Sequence, residues 1–128
     1  MIFVIIHWMI RPNEEHRRAF LAKWTKDFEP PRNALVGEFL SRPVNAEETG
    51  FPCDLLGIPS TNEYWSYFNV GAWESVAAFK RDIYDVFGDS PQADFEAKRR
   101  ERLVLDPQHW RIGDLQLPGD DKLDRGSG

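Results

Sequence analysis

Two polar residues, His7 and Asn69, stand in apolar and aromatic stretches that could hold them at a site of chemistry. His7 lies in the run IFVIIHWMI, and Asn69 lies in YWSYFNVGAW. An imidazole in apolar surroundings can accept or donate a proton near neutral pH, and a carboxamide is a polar handle that both donates and accepts hydrogen bonds. We therefore take both as candidate catalytic residues. For His7 the alternative is a core histidine that is hydrogen-bonded to a neighbour.

Aromatic side chains share one face of the strand that we predict around Asn69. Because successive residues of a strand alternate between its two faces, Trp65, Tyr67 and Trp73 fall on the same face as Asn69. Aromatic walls with a single polar group are typical of pockets that bind small molecules. The same residues would also serve as packing in a subunit interface, and the pattern alone does not distinguish the two.

Two charged residues are further candidates for binding a substrate. Asp82 lies beside the apolar stripe of a predicted helix, where its carboxylate would face either the mouth of a pocket or solvent. Arg111 lies in a predicted strand, and its planar guanidinium suits a carboxylate or a phenolate. The spacing of the three histidines predicts no metal site.

Composition limits the classes of protein that fit. A chain of 128 residues has the length of one domain with a substantial core. Its net charge of −5 argues against nucleic acid as the main partner, and its single cysteine excludes an internal disulfide framework. The apolar start lacks a basic segment and is closed by Arg11-Pro12 too early to span a bilayer. We therefore expect a cytoplasmic protein with no membrane partner.

Hydrophobic periodicity and turn residues predict the element order β-α-β-β-α(α)-β. A helix capped by Asn13 and ended by Pro30 follows the first strand. The predicted strands cover 2–10, 34–44, 63–73 and 109–117, and the later helices cover 76–86 and, in a highly charged segment, 91–103. This is the ferredoxin-like βαββαβ order, an α+β fold whose antiparallel sheet carries its helices on one face.

The other face of such a sheet needs a cover of its own. Helices on one side leave the aromatic residues of the opposite side exposed, and a second copy in a two-fold dimer would bury them. We predict one domain over residues 1–117 that forms a homodimer, followed by a mobile polar tail over residues 118–128. The long connection over residues 45–62 has the length of a functional lid or binding loop, or of a tolerated insertion, and the sequence assigns it no role.

The corner after the third strand has a distinctive set of residues: Trp73, Glu74, Ser75, Ala78 and Phe79. With the apolar first strand, its proline turn and the helix that follows, this corner resembles the dimeric α+β barrel family, which includes the antibiotic-biosynthesis monooxygenases. The resemblance implies that the two sheets of a homodimer close into a barrel, with a small-molecule pocket in each subunit between sheet and helices.

Cofactor-free oxygenases of that family act on electron-rich aromatic substrates. The resemblance therefore implies a monooxygenase-like protein that uses no cofactor and acts on a small aromatic or quinone-type molecule. His7 and Asn69 would be its polar groups, and the aromatic side chains of the third strand would be the pocket walls. The alternatives are a non-catalytic dimeric protein that binds a small molecule, and a dimer whose cavity is filled by side chains.

At two places the sequence departs from the family pattern, and both departures concern the activity and not the fold. Many oxygenase-like relatives carry a histidine where this chain has Asp82. The haem-degrading branch uses an asparagine, a tryptophan and a histidine at places that fall on His7, Asp82 and Gln92 here, and none of them matches. The sequence therefore does not predict haem degradation.

Overall fold

The computed structural model describes residues 1–26, 34–55, 57–58, 62–87 and 90–111. Its four strands form one antiparallel sheet in the order β2-β3-β1-β4. This confirms the predicted α+β, ferredoxin-like βαββαβ fold. The elements in chain order are β1 (Ile2–Ile10), α1 (Glu14–Lys26), β2 (Leu35–Ser41), α2 (Ala46–Thr49), β3 (Trp65–Trp73), α3 (Val76–Phe79), a π-helical turn (Lys80–Tyr84), α4 (Asp85–Phe87) and β4 (Glu96–Leu105).

Strand β1 lies in the centre of the sheet, with β3 on one side and β4 on the other. Its β-branched apolar residues suit a strand that is paired along both edges. Ile2, Val4 and Ile6 are buried on the face that the helices cover, together with Phe79 and Ile83 of the second helical segment. A second cluster on this face joins Phe20 of α1 to Ile10 and Phe95. The core therefore lies between the sheet and the helices.

The predicted cap at Asn13 is present, and a second cap lies at the corner after β3. The Asn13 side-chain Oδ1 accepts a hydrogen bond of 2.9 Å from the backbone N–H of His16 at the start of α1. At the corner after β3, the Ser75 hydroxyl accepts one of 3.1 Å from the backbone N–H of Ala78. Trp73 is 2% exposed there and meets Phe79 edge-on. The corner therefore fixes the helical segment on the sheet.

The prediction for the last strand is wrong in position. The charged segment over 91–103, predicted as a helix, contains β4 (Glu96–Leu105) instead. Residues 109–111 of the predicted strand over 109–117 are not in a strand, and residues 112–117 lie outside the described residues. A strand beside β1 supplies hydrogen bonds to the backbone N–H and C=O groups along the free edge of β1. This gain outweighs the good helix propensity of Lys, Arg and Glu. Pairing with β1 therefore determines that this segment is a strand and not a helix.

Two smaller points concern the rest of the chain. The helix predicted over 76–86 is interrupted by the π-helical turn Lys80–Tyr84. The predicted tail over 118–128 lies outside the described residues. Within the described ranges, no helix has the length and apolar character needed to cross a membrane.

The second face of the sheet, which we call the open face, carries apolar side chains that no described helix covers. The pairing of β1 with β3 and β4 puts Phe3 beside Leu105, and Ile5 beside Val70 and Leu103. Because side chains alternate between faces, this set points away from the helices. Leu103 and Phe39 are each 56% exposed, and Leu105 is 43% exposed. The open face is therefore an apolar surface on a single copy of the chain.

Candidate functional site

A cavity of about 140 Å³ lies between the helix-covered face of the sheet and the helices. Strands β1 and β4, helix α1, the second helical segment and the connection before β4 all contribute to its lining. Its aromatic lining residues are Trp8, Phe20, Trp24, Phe87 and Phe95. An apolar cavity of roughly 150 Å³ can hold a benzene molecule, whereas pockets for larger ligands begin near 300 Å³. The size of the cavity therefore suits one aromatic ring.

The aromatic walls are held by one another. The Trp8 ring lies 5.1 Å from the Phe20 ring and 6.5 Å from the Phe95 ring, measured between centroids. The Phe20 and Phe95 rings meet at 5.6 Å with an angle of 61° between their planes. Edge and tilted contacts of this kind favour a fixed arrangement of the rings. The cavity is thus preformed on the β1 and α1 sides.

Asn69 positions another wall and does not itself line the cavity. Its Oδ1 accepts a hydrogen bond of 2.8 Å from the indole Nε1 of Trp24, and its Nδ2 donates one of 3.1 Å to Glu38 Oε2. The residue is 3% exposed, so both ends of its amide are committed inside the protein. In this arrangement Asn69 fixes the orientation of the Trp24 ring.

The cavity lining includes a buried charge pair, Glu96 and Arg100. The Glu96 side chain is fully buried, and its Oε1 accepts hydrogen bonds from the backbone N–H of Ala93 at 3.0 Å and from Arg100, whose Nη2 lies 3.2 Å away. Arg100 also donates to the backbone carbonyl of Ser90 at 3.2 Å, and its guanidinium carbon lies 5.2 Å from the centre of the Trp8 ring. A buried charge pair needs such additional contacts, since desolvation is costly. The arrangement is therefore a supported ion pair beside an aromatic wall.

His7 lies on the open face, on the other side of the sheet from the cavity. Its Nε2 is 2.8 Å from the hydroxyl of Ser66, and its ring stacks on Phe68 with centroids 4.5 Å apart. Partial burial lowers the pKa of His7, and the nearby charge of Glu101 opposes that shift. The structure therefore does not bring His7 and Asn69 into one pocket.

The three aromatic residues predicted as pocket walls lie on the helix-covered face but do not line the cavity. Trp73 is buried in the core, and Tyr67 packs against Phe20 with ring centroids 5.4 Å apart. Trp65 is 37% exposed. Trp65 and Tyr67 border a second, more open cleft of about 360 Å³, which Arg17 also lines.

The two charged candidates also lie apart from the cavity lining. Asp82 accepts a hydrogen bond of 2.7 Å from Arg81 Nε, and this contact lowers the pKa of the Asp82 carboxyl. Arg111 is exposed and follows the end of β4. Across the described ranges, no three His, Cys, Asp or Glu side chains cluster closely enough to hold a metal ion.

Sequence reasoning missed the residues that form the cavity. Trp8 and Trp24 read as ordinary core residues, and Glu96 and Arg100 fell in the segment predicted as a helix. The apolar ending Leu103–Leu105, at the close of a charged segment, was the available sign of a strand.

Comparison with known proteins adds to the fold assignment. The sequence matches no family model, and no curated protein matches it. The structure does match solved structures, including a crystal structure of a MhuD variant with two manganese protoporphyrin IX molecules bound per active site. The two chains are 17% identical with a TM-score of 0.53, and the match covers 88% of this chain and 100% of that one. At this identity the likeness supports the ferredoxin-like α+β fold.

Proposed function

We propose that this protein belongs to the dimeric α+β barrel family and binds a small aromatic or quinone-type molecule in the cavity between sheet and helices. The observation that carries the proposal is the cavity itself. Its aromatic walls include Trp8, Phe20 and Trp24, and its volume of about 140 Å³ suits a single ring. Small-molecule sites commonly combine apolar walls with a few polar groups, and Glu96 and Arg100 supply those groups here.

Monooxygenase-like turnover without a cofactor is the catalytic form of this proposal. Such chemistry needs an electron-rich ring held away from bulk water, and an aromatic cavity provides those surroundings. A catalytic role for His7 stays a prediction, and on this structure it would act at the open face. Since neither His7 nor Asn69 lines the cavity, a non-catalytic binding protein with the same site is the second candidate function.

A porphyrin does not fit the cavity. The volume of about 140 Å³ lies well below the size of pockets that hold larger ligands. Among the described residues that line it there is also no His, Cys, Met or Tyr, the side chains that ligate haem iron. The porphyrins bound by the MhuD variant are therefore not proposed as ligands of this chain.

A homodimer is the proposed assembly. The open face exposes Phe39, Leu103 and Leu105, and contiguous apolar surface of this kind marks protein interfaces. A second copy related by a two-fold axis would present the same surface and bury both. His7 would then lie in the interior of the barrel between the two sheets.

The test compares binding and turnover in protein with an open and a filled cavity. Hydroquinone binding to the wild type is followed by the shifts of the tryptophan indole resonances in ¹H–¹⁵N spectra. Ala93 lines the cavity, so Ala93→Phe should fill it and abolish binding, whereas Ala77→Phe on an exposed helix position should not. Equal binding by wild type and Ala93→Phe would contradict the proposed site.

Oxygen uptake then separates the two candidate functions. Hydroquinone is incubated with wild-type protein in air, and uptake is measured above that of a protein-free solution. Uptake that Ala93→Phe removes supports a monooxygenase-like enzyme. Binding without added uptake supports the non-catalytic binding protein.

A further inference from the structure

The geometry points to a second binding site, in the cleft that Trp65 and Tyr67 border, for an oxyanion carried on an aromatic ring. The cleft has a volume of about 360 Å³ and lies where β2 ends and β3 begins, and Arg17 of α1 also lines it. Among the residues that the structure describes, the cleft and the cavity share no lining residue. The inference therefore goes beyond the proposed function and does not depend on it.

The lining of the cleft is positively charged. Two guanidinium groups, those of Arg17 and Arg42, line it, and no acidic side chain does so within the described ranges. The chain as a whole has a net charge of −5, so this lining differs in sign from the average of the molecule. A concave surface lined by one sign of charge attracts ligands of the opposite sign. The cleft therefore favours an anion.

The Tyr67 hydroxyl lies near both arginines. Hydrogen bonds to Glu14 and then to the Tyr67 hydroxyl raise the pKa of Arg17. The hydrogen bond with Glu48 raises the pKa of Arg42, and the nearby Tyr67 adds to that shift. A hydroxyl that accepts a hydrogen bond from an arginine can still donate its own proton. Two cations and one hydroxyl donor are therefore available to a single anion in the cleft.

The glutamates that now pair with the two arginines are exposed. Arg17 Nε lies 3.2 Å from Glu14 Oε2, and Arg42 Nη2 lies 3.1 Å from Glu48 Oε2. Pairs of this kind contribute little to stability, because water solvates both charges. Each guanidinium also has five N–H donors, more than one carboxylate can use. An oxyanion can therefore gain charge-assisted hydrogen bonds in the cleft at a small cost to the protein.

Aromatic side chains give the cleft a place for a ring. Tyr64, Trp65 and Tyr67 all line it, and Trp65 remains 37% exposed despite its large indole. Aromatic faces bind planar rings by stacking and edge contacts. A volume of about 360 Å³ also falls in the range of pockets for organic ligands, above the needs of a bare inorganic anion. The ligand class that fits is therefore an aromatic carboxylate or an aromatic phosphate.

The experiment compares benzoate with benzamide, which has nearly the same shape and no charge. Both are titrated into wild-type protein and followed by the indole N–H resonance of Trp65, which is assigned from its loss in Trp65→Phe. We expect benzoate to bind about tenfold more tightly, because only the carboxylate forms charge-assisted hydrogen bonds with the arginines. Phenyl phosphate tests the other oxyanion, and the tighter of the two anions identifies the preferred group. Phenyl phosphate should also bind more tightly than inorganic phosphate, which has no ring.

Substitutions of the arginines assign the site. Arg42→Met should weaken benzoate binding about tenfold and leave benzamide binding unchanged, and Arg17→Met should do the same. Arg18→Met is the matched control, because Arg18 is exposed on the same helix as Arg17 and does not line the cleft. It removes the same charge and should change benzoate affinity by less than about twofold. Equal weakening by Arg42→Met and Arg18→Met would overturn the site.

The remaining outcomes separate this inference from the proposed function. Equal affinities of wild-type protein for benzoate and benzamide would overturn the anion site. Shifts of the Trp8 and Trp24 resonances without a shift of Trp65 would place benzoate in the cavity, which overturns the cleft site and leaves the proposed function intact. A Trp65 shift that depends on Arg17 and Arg42 would support the cleft site even if hydroquinone does not bind in the cavity.

Discussion

Asn69 and Trp24 are joined across the β3–α1 contact by a hydrogen bond of 2.8 Å from the indole Nε1 to the carboxamide Oδ1. The Asn69 amide also donates to Glu38, which links β2, β3 and α1 through one buried side chain. Trp24 lines the cavity, whereas Asn69 lies beneath it. A residue predicted as a catalytic group therefore has a structural contact that shapes the wall of the candidate site.

The first prediction concerns this bond. Asn69→Ala should lower the free energy of unfolding by about 1–3 kcal/mol, because it removes the two buried hydrogen bonds that Asn69 makes with Trp24 and Glu38. Asn62→Ala, at an exposed position, should change it by less than about 0.5 kcal/mol. Urea denaturation of both variants gives the comparison. Equal effects of the two substitutions would show that the Asn69 network contributes little.

The sequence predicts the parts of the fold that depend on local signals, and it misses those that depend on pairing between distant segments. The β1 pattern and the cap at Asn13 are local signals, and the structure confirms them. The assignment of β4 failed because a charged segment that favours a helix locally is recruited by the free edge of β1. No local pattern reports such an edge.

The candidate site was harder to predict than the fold. Alternation within one strand correctly put Trp65, Tyr67 and Trp73 on the same face as Asn69. It could not relate that face to the face of His7, since that requires the register between β1 and β3. Glu96 and Arg100 lie opposite the helices only because β4 pairs with β1. Long-range pairing therefore controls which polar groups reach the cavity.

The second prediction concerns pH and His7. Burial lowers its pKa below the usual value of about 6.5, so the unfolded chain binds more protons than the folded one just below that pH. The contribution of His7 to the free energy of unfolding is therefore complete above about pH 6.5 and falls as the pH drops through the lowered pKa.

Denaturation at a series of pH values tests this linkage. His7→Gln should flatten the dependence below pH 6.5. A steeper loss of stability in His7→Gln than in the wild type would contradict the direction of the shift.

The third prediction compares two arginine–glutamate pairs that differ in burial. Arg100 and Glu96 are 11% and 0% exposed in their side chains, whereas Arg42 and Glu48, 3.1 Å apart, are 61% and 41% exposed. Arg100→Met should cost about 3–5 kcal/mol of folding free energy, because it strands a buried carboxylate. Arg42→Met should cost far less than Arg100→Met, since water screens the exposed pair.

Chemical denaturation of the two methionine variants at neutral pH provides the measurement. Both substitutions remove one positive charge and retain an unbranched apolar stem, so the comparison isolates burial. Similar losses in the two variants would mean that water reaches the Glu96 carboxylate. That result would also weaken the case for a site from which this charge pair excludes water.

The fourth prediction concerns the open face and the proposed homodimer. Leu103 is 56% exposed on this face, beside Ile5 of the central strand β1, so a charge there would be buried by the second copy in a two-fold dimer. Leu103→Lys should therefore shift the protein from dimer to monomer in size-exclusion chromatography with light scattering. Val76→Lys, which introduces the same charge at a 54% exposed helix position, should remain dimeric. A wild-type protein that runs as a monomer would contradict the assembly. Dissociation by both variants alike would instead show that added charge, and not the open face, controls association.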